Sequence, residues 1–191
     1  GGYAALERNS HGLQQRVRLV AAPDAPVKGV QLRVENTWDH VRRLTVTFFA
    51  PWVLGVNRDR SQQYIVSHYD PETSALLARN TYSSEFGERV AFLAASEEPH
   101  GLTADRTEFL GRKGNLCHPA ALDRVGLASR VEPGLDPCAA IQLHVELEPG
   151  QEKEIYFLLG QGESRAEATD LIKRYREVDA VADAWERTRS Y

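Results

Sequence analysis

The stretch from Asp136 to Gly160, DPCAAIQLHVELEPGQEKEIYFLLG, constrains the fold more than any other part of the chain. Ile141, Leu143, Val145 and Leu147 fall at every second position, with Gln142, His144, Glu146 and Glu148 between them. That period belongs to a strand with one apolar and one wet face. Pro149-Gly150 then supplies a reversal. Ile155 to Leu159 is apolar at both parities, which predicts a strand covered on both sides near the middle of a packed structure. Read as two long strands joined by a tight turn, the stretch predicts the core of a β-sandwich and assigns no chemistry.

The rest of the chain reads in the same idiom. Gly1-Gly2-Tyr3 opens like the edge of a strand, and Gly12 to Val20 alternates through Leu13, Val17 and Leu19. Val27 to Glu35 and Arg43 to Ala50 alternate on either side of Asn36-Thr37-Trp38-Asp39-His40, a predicted hairpin. Gln63 to Tyr69 and Ala75 to Asn80 flank Asp70-Pro71-Glu72-Thr73-Ser74, whose Asp-Pro start presets a second one. Glu88 to Ala95 reads as a strand, and Pro99 to Asn115 as a long loop or irregular crossover. Ala120 to Val131 fits strand and helix alike. After Gly162 the period changes. Ser164 with Glu167 forms a capping box, and Ala168, Leu171, Ile172 and Tyr175 mark the face of an amphipathic helix. Asp179 caps a second short helix running through Trp185. The expected organisation is a mainly β domain over residues 1–162 and a helical appendage over 163–191.

Composition narrows the function classes. A formal net charge of −4 argues against a nucleic-acid surface, which needs concentrated Lys and Arg. No apolar run approaches the roughly 18 residues of a membrane span. Cys117 and Cys138 sit in no metal-ligand spacing and are too few for a disulfide framework, so a reducing, cytoplasmic setting is expected. The chain contains no methionine and begins at Gly1, which predicts a piece of a longer polypeptide.

The six histidines, His11, His40, His68, His100, His118 and His144, are spread singly, and the sequence predicts neither metal nor cofactor. Nothing marks a catalytic residue: there is no nucleophile elbow, and Glu97-Glu98 and Glu146/Glu148 read as solvated charge. Trp38, Trp52, Tyr64, Tyr69 and Tyr82 are aromatic enough to stack on sugar rings, although a sandwich spends most aromatics on its core. The densest polar stretch is Asp105 to Arg112. It reads as a loop held by its own salt links or as a functional loop, with Asp105, Arg106, Glu108 and Arg112 as candidate contacts to glycan hydroxyls or phosphate.

Several stretches together, WVLGVNRDR from Trp52, SALLARNTYSSEFGERVAFLA from Ser74, DRTEFLGRKGN from Asp105, PAAL from Pro119 and LDPCAAIQLHVELEPGQEKEIYFLLGQG from Leu135, resemble one family. They are similar to the phosphorylase-like region of cyclic β-1,2-glucan synthases, within the group of cellobiose and chitobiose phosphorylases. The resemblance covers nearly the whole chain, from Tyr3 to Trp185, and implies a β-super-sandwich of galactose-mutarotase-like shape, followed by linker helices towards an (α/α)₆ barrel. In that group the barrel carries the general acid, so the resemblance implies a non-catalytic domain that helps shape a glucan site. It further implies β-glucan or an oligosaccharide as partner through the parent enzyme, the barrel of the same polypeptide as neighbour, homodimers in some members, and a parent at the bacterial inner membrane. Two other readings stand beside it: an autonomous glycan-binding module, and a mutarotase-like enzyme, which requires two histidines and a carboxylate converging in one cleft.

Overall fold

The computed structural model describes residues 3–82 and 85–176, together with Glu186 and Thr188. The helix expected from Asp179 lies outside the described residues. Among the described residues there are ten strands: β1 (Tyr3–Ser10), β2 (Leu13–Ala21), β3 (Val27–Asn36), β4 (Arg42–Pro51), β5 (Ile65–Asp70), β6 (Ala75–Asn80), β7 (Val90–Ala95), β8 (Gly101–Asp105), β9 (Pro137–Leu147) and β10 (Glu152–Gly162). They form a seven-stranded antiparallel sheet in the order β1-β2-β3-β10-β7-β6-β5 and a three-stranded one in the order β4-β9-β8. Helices α1 (Arg58–Ser61), α2 (Arg106–Leu110) and α3 (Arg165–Arg176) accompany them.

Burial explains the layering. Between the sheets, Val30, Val34, Leu93, Ile141, Leu143, Val145, Ile155 and Phe157 form one core. On the other face of the large sheet, Tyr156, Leu158, Phe92 and Leu77 meet Ala168, Leu171, Ile172 and Tyr175 of α3. This is why β10 is apolar at both parities: alternate residues serve two cores, each buried side chain contributing about 1.5–3 kcal/mol. A third cluster, Phe49, Phe109, Leu110, Ala121, Leu127 and Ala140, covers part of the outer face of the small sheet. The start of α3 follows its sequence signal, with the Glu167 N–H donating to Ser164 Oγ at 3.2 Å.

The expected hairpin within Asp136–Gly160 is not a hairpin. The turn is there, since the Gln151 N–H donates to the Glu148 carbonyl at 3.0 Å, but β9 lies in the small sheet and β10 in the large one. The hairpin expected of Val27–Glu35 with Arg43–Ala50 is corrected in the same way: β3 pairs with β10 while β4 pairs with β9. Both connections are arches that carry the chain over the sandwich edge. Alternation demands only that one face be buried, and two strands facing each other across a core satisfy it as well as two side by side.

Asn36 holds the arches together. It is wholly buried, and its Nδ2 lies 2.8, 3.1 and 3.2 Å from the carbonyl oxygens of His40, Leu147 and Glu148. Its Oδ1 accepts from the Trp38 N–H at 3.1 Å. Its backbone N–H donates to the Gln151 carbonyl at 3.0 Å, and its carbonyl accepts from the Gly150 N–H at 2.8 Å. One side chain thus satisfies backbone groups on both arches that would otherwise be orphaned at a buried corner.

The Pro99–Asn115 stretch, expected as loop, contains β8 and α2. Gln142, expected on a wet face, is 1% exposed because the segment around Leu127 lies across it. Gly101 makes room there: a Cβ on it would sit 2.9 Å from the Leu127 nitrogen and 3.3 Å from Gln142 Oε1. The ambiguous Ala120–Val131 stretch begins with a single 3-10 turn, Ala120–Asp123, and continues without regular structure. The hairpin at Asp70–Ala75 and the strand at Val90–Ala95 follow their sequence signals.

Candidate functional site

The polar stretch singled out in the sequence is assembled around α2. Asp105 ends β8 and caps the helix, accepting from the Thr107 N–H at 2.9 Å, and its other oxygen pairs with Arg130 at 2.8 Å. Glu108 is buried one turn later. Its Oε2 accepts from the Thr103 hydroxyl at 2.6 Å and its Oε1 from the Ala128 N–H at 2.7 Å, with Arg124 at 3.9 Å. Arg106 lies 3.3 Å from the Asp136 carboxylate, whose other oxygen is held by Arg58. Asp105, Arg106 and Glu108 therefore belong to one network that pins the Arg124–Asp136 segment over the small sheet. Arg112 stands apart, exposed beyond Gly111. Beneath the network, burial pushes the Cys138 thiol far above its usual range, reinforced by the carboxylates of Asp105, Asp136 and Glu108.

A concave site lies elsewhere. Val53, Leu54, Gly55, Asn80, Phe86 and Arg89 line a cavity of about 300 Å³. It runs into an open cleft of about 670 Å³ that shares Gly55, Asn80 and Phe86 and adds Arg60, Tyr64, Tyr82 and Glu85. Tyr64 and Tyr82 are stacked, with centroids 4.4 Å apart and planes 20° from parallel, and Tyr82 is 73% exposed. Asn80 builds both walls, since its Nδ2 donates to the Leu54 carbonyl at 2.6 Å and its Oδ1 accepts from the Tyr82 N–H at 2.9 Å. Thr81 adds two bonds to the Tyr64 carbonyl, from its N–H at 3.0 Å and its hydroxyl at 3.1 Å. Arg89 lies over the Phe86 ring, 5.2 Å from its centroid, and pairs with Glu163 at 3.6 Å.

The other singled-out aromatics have different duties. Trp52 is core and Tyr69 packs against it. Trp38 seals the β1–β2 turn, lying so close to Gly12 that a Cβ there would be 2.1 Å from its Nε1, with the Arg42 guanidinium 4.2 Å above the indole. His100 and His144, distant in sequence, stack on the outer face of the small sheet with centroids 3.4 Å apart. Neither lines the groove, and among the described residues no three His, Cys, Asp or Glu side chains are placed to hold a metal ion. Tyr64 and Tyr82 were visible in the sequence as aromatic candidates, whereas Phe86 and the bridging Asn80 were missed, since their roles depend on contacts across the fold.

Fold and site together define a class: a two-sheet β-sandwich domain with a preformed, aromatic-walled groove. Its family can be stated outright. The chain belongs to the glycosyl hydrolase 94 supersandwich-domain family, whose profile matches residues 1–178. It is 32% identical over 167 residues to the cyclic β-(1,2)-glucan synthase NdvB of Rhizobium meliloti (strain 1021), covering 87% of this chain and 6% of that protein. It is 20% identical over 193 residues to the N,N'-diacetylchitobiose phosphorylase of Vibrio proteolyticus, covering 99% of this chain and 24% of that one. The chain thus spans a small fraction of the relatives it matches. A polysaccharide lyase shares the fold at a TM-score of 0.53 and 6% identity, over 88% of this chain and 23% of the lyase. Among the described residues, no helix is long and apolar enough to cross a membrane.

Proposed function

We propose that this chain is a non-catalytic, carbohydrate-associated domain of a larger glucan synthase or glycoside phosphorylase, and that it helps shape the glucan site of a barrel elsewhere in the parent. The observation that carries the reading is the state of its polar cluster. The buried carboxylates of Asp105 and Glu108 are committed to a helix cap, a hydroxyl, a backbone N–H and arginines, which stiffens a surface and leaves no poised acid or base. The relatives' names supply the substrate class, β-glucan or a related oligosaccharide. In this reading residues 1–162 are the sandwich and 163–191 lead to the barrel, with Arg112, the exposed member of the four candidates, facing its mouth. The parent sits at the bacterial inner membrane, and the exposed β1 edge offers a surface for pairing between copies.

The test compares the parent enzyme with and without this domain, and the isolated chain with both. The parent loses most of its turnover of β-1,2-glucan when the domain is removed, and the isolated chain with phosphate and β-1,2-glucan releases no sugar phosphate. Turnover by the chain alone, or a parent indifferent to the deletion, overturns the proposal.

A further inference from the structure

The groove beside Tyr64 and Tyr82 shares no lining residue with the α2 network, although α1 gives Arg58 to the network and Arg60 to the groove, and its construction points to a ligand of its own. We propose that it binds a neutral β-glucan segment directly, with one pyranose ring lying on the exposed face of Tyr82. This rests on the carbohydrate reading above and adds to it a site within this chain. Ligand sites are concave, largely apolar, preformed and fitted with a few oriented polar groups, and each feature is present. The combined volume, about 300 and 670 Å³ in the two parts, lies in the range of small-molecule sites.

The Tyr82 wall is fixed before any ligand arrives, because Asn80 and Thr81 tie it to Leu54 and Tyr64 through three hydrogen bonds of 2.6 to 3.1 Å and the Tyr82 N–H closes onto Asn80 Oδ1 at 2.9 Å. Stacking on Tyr64 holds the Tyr82 ring as a platform and leaves it 73% exposed. A platform of this kind suits the C–H face of a sugar ring, while Arg60, Glu85 and Gln161 supply donors and acceptors for hydroxyls. Charge decides against a phosphorylated or anionic ligand: Arg60 is matched by Glu85 along the lining, and Arg89 by Glu163 at 3.6 Å.

The experiment is a titration of the intact chain, followed by amide NMR shifts and calorimetry, with a linear β-1,2-gluco-oligosaccharide and, separately, inorganic phosphate. The oligosaccharide shifts the amides of Tyr64, Asn80 and Tyr82, and phosphate does not. Tyr82→Ala weakens the affinity about tenfold or more, while Tyr82→Phe, which keeps the platform, binds within about twofold of the unaltered chain. Because Tyr82 is exposed, both variants retain the fold, which their unperturbed core amides verify. A chain that ignores the oligosaccharide, binding insensitive to Tyr82→Ala, or a groove that answers to phosphate instead overturns the proposal. A parent enzyme that needs the domain, combined with a groove silent in titration, removes the groove's role and leaves the domain's supporting role standing.

Discussion

Two proline turns in this chain resemble each other in sequence and do opposite things in the structure. Asp70-Pro71-Glu72-Thr73-Ser74 folds β5 back onto β6 within one sheet. Glu148-Pro149-Gly150-Gln151 sends β9 and β10 into different sheets. The first turn is closed by its own residues: Asp70 Oδ2 accepts from the Thr73 N–H at 3.1 Å and from its hydroxyl at 2.6 Å. The second has its own closing bonds too, the Gln151 N–H to the Glu148 carbonyl at 3.0 Å and the Glu148 N–H to Gln151 Oε1 at 2.8 Å, but Asn36, more than a hundred positions away, adds its amide to the Leu147 and Glu148 carbonyls. Both turns carry local closing bonds; what sets the corner apart is a buried amide that ties its carbonyls to the other arch.

Substitution at the distant partner tests that contrast most severely. Asn36→Ala takes the amide away from the His40, Leu147 and Glu148 carbonyls and from the Trp38 N–H at a buried corner and costs about 3 kcal/mol or more, read as a lower urea midpoint. A loss no larger than that of a surface change would erase the distinction. Asp70→Ala removes the local closure and costs about 1–2 kcal/mol, its ion pair with Arg165 adding little because that arginine is 60% exposed. Gly150→Ala meets no neighbour within 4 Å, so only its φ of +72° opposes a side chain, and about 1 kcal/mol is lost.

The smallest effect is a pH response confined to the hairpin. Burial first, then the charge of Arg165, holds the His68 pKa below its ordinary 6.5, so the unfolded chain takes up that proton more readily than the folded one. Stability contributed by neutral His68 is present above pH 6.5, declines as pH falls through that value, and levels off below the depressed folded pKa. For Asp70 burial acts upward, but the Thr73 and Arg165 hydrogen bonds outweigh it and the net shift is downward from 3.8. Its contribution is present above pH 3.8 and disappears as pH falls through the lowered value. Hydrogen exchange at β5–β6 amides, corrected for its intrinsic pH dependence, accelerates as pH falls below 6.5 in the unaltered chain and not in His68→Gln, while corrected exchange at the Asn36 corner stays level. Acceleration at the corner instead would place the titration elsewhere.

Strands were largely legible because alternation at Ile141–Leu147 and Val27–Glu35 is a local signal. Partnering was not, because the Asn36 bonds that choose an arch over a hairpin join residues adjacent only after folding. The helix α2 carried a readable mark that the Pro99–Asn115 reading overlooked: Asp105 and Glu108 stand at capping-box spacing, as Ser164 and Glu167 do at α3. Glu108 then departs from that motif by accepting the Thr103 hydroxyl, a contact that spacing does not predict. In the groove, the aromatic character of Tyr64 and Tyr82 was visible in the residues themselves. Their juxtaposition depended on Asn80 reaching Leu54 across 26 positions, which no periodicity reports.

The place of β10 bears on how the chain is made. It sits between β3 and β7, and it is the last of the described strands to be synthesised. At roughly 5–20 residues per second on a ribosome, β3 and β7 wait several seconds after Ala95 emerges before their shared neighbour exists. During that interval their facing edges are unpaired and sticky, and the large sheet closes only by long-range annealing, a slow step for a topology of this kind. Nascent chains halted before Glu152 should therefore engage holdase chaperones, and chains released after Gly162 should let them go.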